Sequence, residues 1–426
     1  MFSNIYCGHL ARLTAALVLT AAQLAGAAAE PPLTLERAWQ LAEEANPTLK
    51  AAQASLAGAE GQLADARGAL WNNPQLAAER SRRKVPQPGL ESDIQGEWRV
   101  EISQTLEIAG QQGYRRGAAE QELAALRETI EETRLQIRAE FEQKFTRVVS
   151  LQLRAEMEEG IIGLIQENAA ITRKRFEAGE DTKLDNNLAG VELGRARDRL
   201  ESVRELLIQA RAELAATLQL PPDELPAVKG ALVVRPEPPY TLEQLLDAAA
   251  SRPQLRALGY REQAARSRLG LERAAAYPDV TVGLGAGREG PGAARENLIG
   301  LSVSVPLPLF RRNAAGIGKA SSELAQVEIE KRATTRDTRA RVLALWQKLE
   351  SLRERVRRLD QFVLQQLEEN ERLSTAAYRV GEIGLMQLLL TTRQVLDTRR
   401  EVLEAMTDFA LTRVELERAA GWVQLR

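Results

Sequence analysis

Two short stretches carry the side chains best placed to do chemistry. One reads FEAGEDTKLD, from Phe176 to Asp185, and the other YRVGE, from Tyr378 to Glu382. Each sets an aromatic three residues before a glycine, Gly179 or Gly381, with a glutamate directly after it. Glu180, Asp181 and Asp185 follow the first glycine and Glu382 the second. With no histidine or thiol beside them these carboxylates are not a catalytic set; their chemistry is to attract cations. Repeated around the axis of an oligomer, any one of them makes a ring of negative charge that favours cations through a constriction. The same residues also fit solvated charges in a turn and a first helical turn, where the helix dipole favours them. Phe176, Gly179, Tyr378 and Gly381 fit either a docking surface for a partner or hairpin geometry alone.

Composition narrows the classes. Lys and Arg number 57 against 59 Asp and Glu, a net charge of -2, and aromatics are 4%, so neither a basic field nor stacking side chains invite nucleic acid. The single cysteine, Cys7, and the single histidine, His9, both precede the apolar run of a leader, so a processed chain has neither thiol nor imidazole. No acid, base and nucleophile come together in any motif, so no enzyme activity and no cofactor are expected. Metal ligation is equally unsupported, since imidazole and soft sulfur ligands are nearly absent. GLGAGREG lies in an alternating, strand-like stretch, and GIGKAS lacks phosphate-loop spacing.

The elements that must position the two stretches follow from periodicity. Arg12 precedes LTAALVLTAAQLAG, which ends in small residues at Ala27 and Ala29, the pattern of a secretory signal peptide over 1–29. Cys7 lies ahead of the apolar run, where it cannot serve as a lipoprotein cysteine. No later stretch approaches the roughly 18 uninterrupted apolar residues of a spanning helix, so entry into a membrane would need strands. The remainder divides into a first structural repeat over 30–219, a proline-rich connector over 220–240 and a second repeat over 241–426. LTLERAWQLAEEANPTL matches YTLEQLLDAAASRPQL, GALWNNPQL parallels AAAYPDVTV, and EISQTLEIAGQQ parallels LSVSVPLPLFRR, with an offset that drifts by only a few residues.

Within each repeat one proline-free stretch dominates, 110–176 and 312–378. In the second, Val342, Leu345, Leu349, Leu352, Val356, Leu359 and Val363 alternate steps of three and four, a coiled-coil seam. A helix of about 67 residues is roughly 100 Å long at 1.5 Å per residue. Gly160 and Gly163 could break the first one. Gly179 and Gly381 sit where a helix end wants a left-handed residue, and return helices are expected over 183–218 and 385–420. Shorter helices, about 48–71 and 254–276, are expected to end near Pro74 and Pro278. Period-two alternation marks strand hairpins at about 75–107 and 279–307, each strand about ten residues, with polar loops near RRKVPQPGLESD and REGPGAAREN. Arg80, Arg82, Arg83 and Lys84 read either as facing anionic lipid headgroups or as a solvated strand end. Four strands cannot close a barrel, so in lipid several subunits must close it together.

In this order of features the chain resembles the TolC family of outer-membrane efflux proteins over nearly all of its length past the leader. ANPTL, NNPQL, SQTLEIAGQQ, VPLPLFRRNAAG and YRVGEIGLMQLLLTTRQVLDTRREVLEA look like the outer-membrane subunit of cobalt-zinc-cadmium and related heavy-metal RND efflux systems. The resemblance implies a mainly α fold with membrane β: a homotrimer whose coiled-coil hairpins form an α-helical barrel in the periplasm, joined to a shared 12-stranded β-barrel in the outer-membrane lipid of a Gram-negative bacterium. It implies docking to a periplasmic adaptor, the membrane fusion protein, and to an inner-membrane RND pump. The channel is then passive and opens when its periplasmic tip dilates. Within the family, drugs or secreted polypeptides are the alternative cargo; outside it, the alternative is a periplasmic coiled-coil scaffold without a pore.

Overall fold

The computed structural model describes residues 32–422 other than 88, 222, 236 and 291–294; the expected signal peptide lies outside the described residues. The elements run α1 (Leu35–Ala45), α2 (Pro47–Ala66), β1 (Gln75–Gln87), β2 (Leu90–Leu106), α3 (Gln111–Glu177) and α4 (Lys183–Leu218). After the connector come α5 (Leu242–Ala250), α6 (Pro253–Ala274), β3 (Val280–Glu289), β4 (Glu296–Ser304), α7 (Ala314–Arg358), a π-helical segment (Leu359–Leu364), α8 (Gln365–Arg379) and α9 (Leu385–Ala420). Short helices, a strand hairpin, a long helix and a return helix thus occur in that order twice.

Local chemistry sets the boundaries. Asn46 caps α2, its side chain accepting from the Leu49 amide at 3.0 Å, and Pro47 occupies the first helical position, where its missing N–H costs nothing. α2 and α6 stop at Ala66 and Ala274, five and two residues before the ends expected at about 71 and 276. Gln112 explains the first: its Nε2 donates to the carbonyls of Ala66 and Gly68 at 2.7 and 2.9 Å, satisfying acceptors that further helix would have used.

The alternative break at Gly160 and Gly163 does not occur, and α3 runs unbroken for 67 residues as the proline-free stretch implies. Both glycines face outward, while Ile161 and Ile165 pack against Ala196 and Leu396 on neighbouring helices. Burying two isoleucines outweighs the roughly 1 kcal/mol that each exposed helical glycine costs. The departure falls in the second long helix instead. Val342, Leu345, Leu349, Leu352 and Val356 are buried as the seam requires, but Leu359 and Val363 lie in the π segment and are only half-buried. Continued steps of three and four would bring residues 370 and 377 to the interface; Glu371 and Tyr378 are buried in their place. The π segment therefore absorbs one extra residue and shifts the seam by one position.

The strands form one antiparallel sheet in the order β1-β2-β3-β4, joined across the two halves of the chain by β2 and β3. Two strand boundaries differ from expectation. RRK and the residues facing it are paired strand, with Arg83 opposite Gln95 and Lys84 opposite Ile94, so β1 and β2 reach 13 and 17 residues around a tight turn at Gly89. β4 stops at Ser304 because Pro306 and Pro308 have no N–H for the ladder. One face is apolar, with Ile102, Leu284 and Leu301 in neighbouring positions across three strands; the other carries Glu101, Gly285 and Gly300 in register. β1 and β4 are the edges. No helix among the described residues is long and apolar enough to cross a membrane.

Matching cores hold the short helices to the long ones. Trp39, Phe141, Phe145 and Leu214 cluster in the first half, and Tyr240, Leu349, Phe409 and Leu416 in the second. The connector is tied to the segment just before α1 by a parallel bridge between Leu33 and Val228. Between halves, α3 and α9 are clamped by Arg400, which donates to both oxygens of the buried Glu158 at 2.7 and 2.9 Å.

Candidate functional site

The two acidic stretches lie side by side at the helical end remote from the sheet. Both bends have the same backbone chemistry. At the first, the Glu180 amide donates to the Arg175 carbonyl at 2.8 Å and the Gly179 amide to Phe176 at 3.0 Å; at the second, Glu382 donates to Ala377 at 2.9 Å and Gly381 to Tyr378 at 3.1 Å. These are Schellman closures, which require a left-handed residue, and Gly179 and Gly381 take φ of 79° and 83°.

Side chains then tie one bend to the other. Tyr378, fully buried, donates its hydroxyl to Asp181 Oδ2 at 2.6 Å and lies 2.9 Å from Thr172 Oγ1. Arg175 Nε donates to the other Asp181 oxygen at 3.2 Å, and its Nη1 reaches the Tyr378 carbonyl at 3.2 Å. The Arg175 guanidinium also stands 5.1 Å from the centre of the Tyr378 ring. Burial first, and then the hydrogen bond to Asp181, push the Tyr378 phenol up to about 12, so it stays a donor throughout the physiological range. Asp181 therefore serves as the acceptor at the centre of a cross-link between hairpins.

The four candidate carboxylates thus separate. Asp181 is spent on Arg175 and Tyr378. Asp185 closes a capping box, accepting from the Thr182 amide and hydroxyl while its own amide donates to Thr182 Oγ1 at 3.2 Å. Glu180 is exposed, paired loosely with Arg175 at 3.3 Å, and Glu382 is exposed with no side-chain partner among the described residues. Of the four, Glu180 and Glu382 are the exposed carboxylates, while Asp181 and Asp185 are half-buried. Phe176 is on the surface, whereas Tyr378 is wholly inside, so the two aromatics are not equivalent despite equal spacing.

Sequence reasoning missed Thr172 and Arg175, the partners that give Asp181 its role. It also passed over a readable signal: Thr182 three residues before Asp185 is the capping-box spacing. Above the cross-link the facing helices are poorly satisfied. Asn168 Nδ2 on α3, Glu371 Oε1 on α8 and Thr392 Oγ1 on α9 are buried without a hydrogen-bond partner. Burial raises the Glu371 carboxyl above its ordinary range. Among the described residues no three of His, Cys, Asp or Glu are grouped to hold a metal.

Comparison with known proteins bears on this architecture. The sequence pattern of the family described as "Outer membrane efflux protein" matches residues 38–218 and 245–422. The cobalt-zinc-cadmium resistance protein CzcC of Cupriavidus metallidurans is 28% identical over 399 residues, covering 92% of this chain and 90% of that protein. Outer membrane efflux protein BepC of Brucella suis is 24% identical over 349 residues, covering 80% of this chain and 75% of that one. Among solved structures, the outer membrane protein VceC of Vibrio cholerae shares the fold with a TM-score of 0.75 at 20% identity, over 91% of this chain and 96% of VceC.

Proposed function

The chain belongs to the outer membrane efflux protein family, a transport family and not a class of enzymes, and we propose that it is the outer-membrane channel of a tripartite RND-type system that passively conducts heavy-metal cations outward. The observation that carries the cargo is the likeness to CzcC along nearly the whole of both chains. The geometry supports a conduit. A four-stranded sheet with one apolar face leaves the outer edges of β1 and β4 without a neighbouring strand, and unpaired backbone in hydrocarbon costs several kcal/mol per group. Three copies would close a 12-stranded barrel, and the long helical hairpins beneath it would form a periplasmic α-barrel. The two repeats and the trimer account for six bends around one rim.

In that assembly the tip is where an adaptor and pump would engage, through surface residues such as Phe176 beside Gly179 and Gly381. The Tyr378–Asp181 link holds the two hairpins of a protomer together, so dilation must strain or break it. Glu180 and Glu382 are the carboxylates able to form a cation-attracting ring, while selectivity among metals rests with the pump and adaptor.

Outer-membrane fractionation with a heat-modifiable trimer, followed by planar-bilayer conductance, tests the reading; a soluble monomer without conductance favours the pore-less scaffold. Deleting the gene and comparing sensitivity to zinc, cobalt, cadmium, nickel and copper with sensitivity to drugs tests the cargo. Unchanged metal tolerance with increased drug sensitivity would replace metals by drugs.

A further inference from the structure

The four basic residues of β1 are divided by the sheet. Arg83 shares the polar face with Glu97 and pairs with it at 3.5 Å. Arg80, Arg82 and Lys84 alternate to the other side and stand on the apolar face in line with Leu76 and Ala78. The register adds a fourth cation: Arg80 is opposite Trp98, and Trp98 is opposite Arg288 on β3. One row across three strands therefore reads Arg, Trp, Arg, with Arg82 and Lys84 further toward the hairpin turn.

The carboxylates are sorted the opposite way. Glu79, Glu97, Glu101, Glu289 and Glu296 all take polar-face positions by the same register. Among the described side chains of the four strands, the apolar face carries four cations and no anion. Arg80, Arg82, Lys84 and Arg288 are exposed, and none has an ion-pair or hydrogen-bond partner among the described residues. A solvated strand end does not account for this: solvent on both faces would leave the charges mixed.

Height along the strand supplies the second argument. From Leu106, at the helical end, to Trp98 is eight steps, about 27 Å along a strand and about 20 Å along the normal at a tilt near 40°. An apolar band is about 25 Å tall and is flanked by aromatic girdles. Trp98 thus stands at the upper girdle, and the cations begin where the hydrocarbon ends. There a guanidinium on the lipid face is nearly neutral in cost, whereas at mid-bilayer it is strongly unfavourable.

We propose that this row binds the phosphate groups of phosphorylated lipid in the leaflet at the hairpin-turn end, the outer leaflet of the outer membrane. The inference rests on the channel reading, which supplies the bilayer and its orientation. Guanidinium suits the partner because its planar donors engage two phosphate oxygens at once, and Trp98 packs the acyl boundary between two such contacts. Glu79, Glu97 and Glu101 would repel the same headgroup, and they are kept on the other face.

The test uses the full chain, reconstituted from vesicles of native lipopolysaccharide or of the same lipid treated with phosphatase. Lipid retained after detergent extraction is counted by mass spectrometry. A single cation facing a charged headgroup layer contributes about fivefold in affinity. Replacing Arg80, Arg82, Lys84 and Arg288 by Gln should therefore lower retention at least about tenfold, as should phosphatase treatment. Arg80→Lys, Arg82→Lys and Arg288→Lys together, which keep the charge but lose the two-point contact, should retain clearly more lipid than the Gln variant and less than the wild type, which guards against a folding artefact. The opposite-face control, Arg83→Gln with Arg99→Gln, should retain lipid as the wild type does. Undiminished retention in the fourfold Gln variant overturns the proposal, and so does displacement of lipid by millimolar inorganic phosphate, which marks a free-phosphate site. A wild-type chain that conducts but ignores lipid phosphorylation removes this inference alone; one that never enters a bilayer removes the channel reading with it.

Discussion

Replacing Tyr378 by Phe isolates the tie between hairpins. The substitution deletes one oxygen and keeps the buried ring, including its contact with the Arg175 guanidinium at 5.1 Å, so little packing is lost. What disappears is a 2.6 Å hydrogen bond to a carboxylate, together with the 2.9 Å contact of the same hydroxyl with Thr172 Oγ1. Bonds to charged acceptors contribute about 1.5–3 kcal/mol net. Asp181 retains Arg175 at 3.2 Å, but its side chain is only 10% exposed, so water replaces the hydroxyl poorly. About 2 kcal/mol is a fair value, which shifts the opening equilibrium of the tip about 30-fold. Other cross-ties survive the substitution: Arg175 Nη1 still donates to the residue 378 carbonyl at 3.2 Å and Arg393 to Glu192 at 2.8 Å, while Arg379 with Glu167, whose side chains are 53% and 59% exposed, contributes under about 1 kcal/mol. Hydrogen exchange on peptides spanning residues 172–186 and 374–388 reads the change directly. Protection at both bends should fall between about tenfold and 30-fold, with α1 and α2 unchanged. Thr172→Val, which removes only a neutral partner, should cost about 1 kcal/mol and act about fivefold. Equal protection in Tyr378→Phe and wild type would refute the link, as would acceleration spread evenly over the chain.

The same tie has a pH signature: the fold favours the protonated phenol, so its contribution is complete below the ordinary tyrosine range and is lost as pH rises through about 12. Tip protection, taken relative to the base-catalysed exchange of an unstructured peptide at the same pH, should stay flat from neutrality to about pH 10, then fall in wild type but not in Tyr378→Phe. Burial raises the Glu371 carboxyl, so this one group's contribution to stability is complete below the ordinary carboxylate range and is lost as pH climbs through the raised value. Glu371→Gln should gain on the order of 1 kcal/mol over wild type at about pH 8 and nothing at about pH 4 in thermal melts; an equal gain at both would discount the charge. At Gly381, with φ of 83°, Val should cost about 1–2 kcal/mol and Asn distinctly less, because short polar side chains tolerate the left-handed region. Identical melting of the two variants would mean that the bend does not depend on backbone strain. In bilayers, Glu180→Gln with Glu382→Gln should lower the cation-to-anion permeability ratio; Asp181→Asn should alter gating more than selectivity, and the reverse ranking would reassign the ring.

Much of the scaffold was legible because it is written in local terms. Absence of proline announced the long helix now seen over Gln111–Glu177, and the two glycines announced the bends. Alternation found all four strands but stopped too early at RRKVPQPG, since a run of charge looks like a loop until a pairing partner is known. The site was less legible for a related reason. Asp181 and Asp185 are four residues apart in one turn, yet one answers to Tyr378 nearly two hundred residues away and the other to Thr182. The capping-box spacing of Thr182 and Asp185 is the local mark of the second, and nothing local announces the tie of the first to Tyr378. Tyr378 itself escaped because a seam extrapolated from Val342 to Val356 turns residue 377 inward, and the π segment moves that place to its neighbour.

That segment also says where the chain tolerates a change of length. A residue added to an unbroken α-helix rotates everything beyond it by about 100°, which would swing a tip side chain from interior to solvent. Here the surplus is confined to Leu359–Leu364, and the interface below resumes with Tyr378 facing Thr172 and Asp181. Loss of one residue within 359–364 would convert the π turn to ordinary helix and leave the phase below it intact, whereas the same loss in Ala314–Arg358 would not be corrected before the bend.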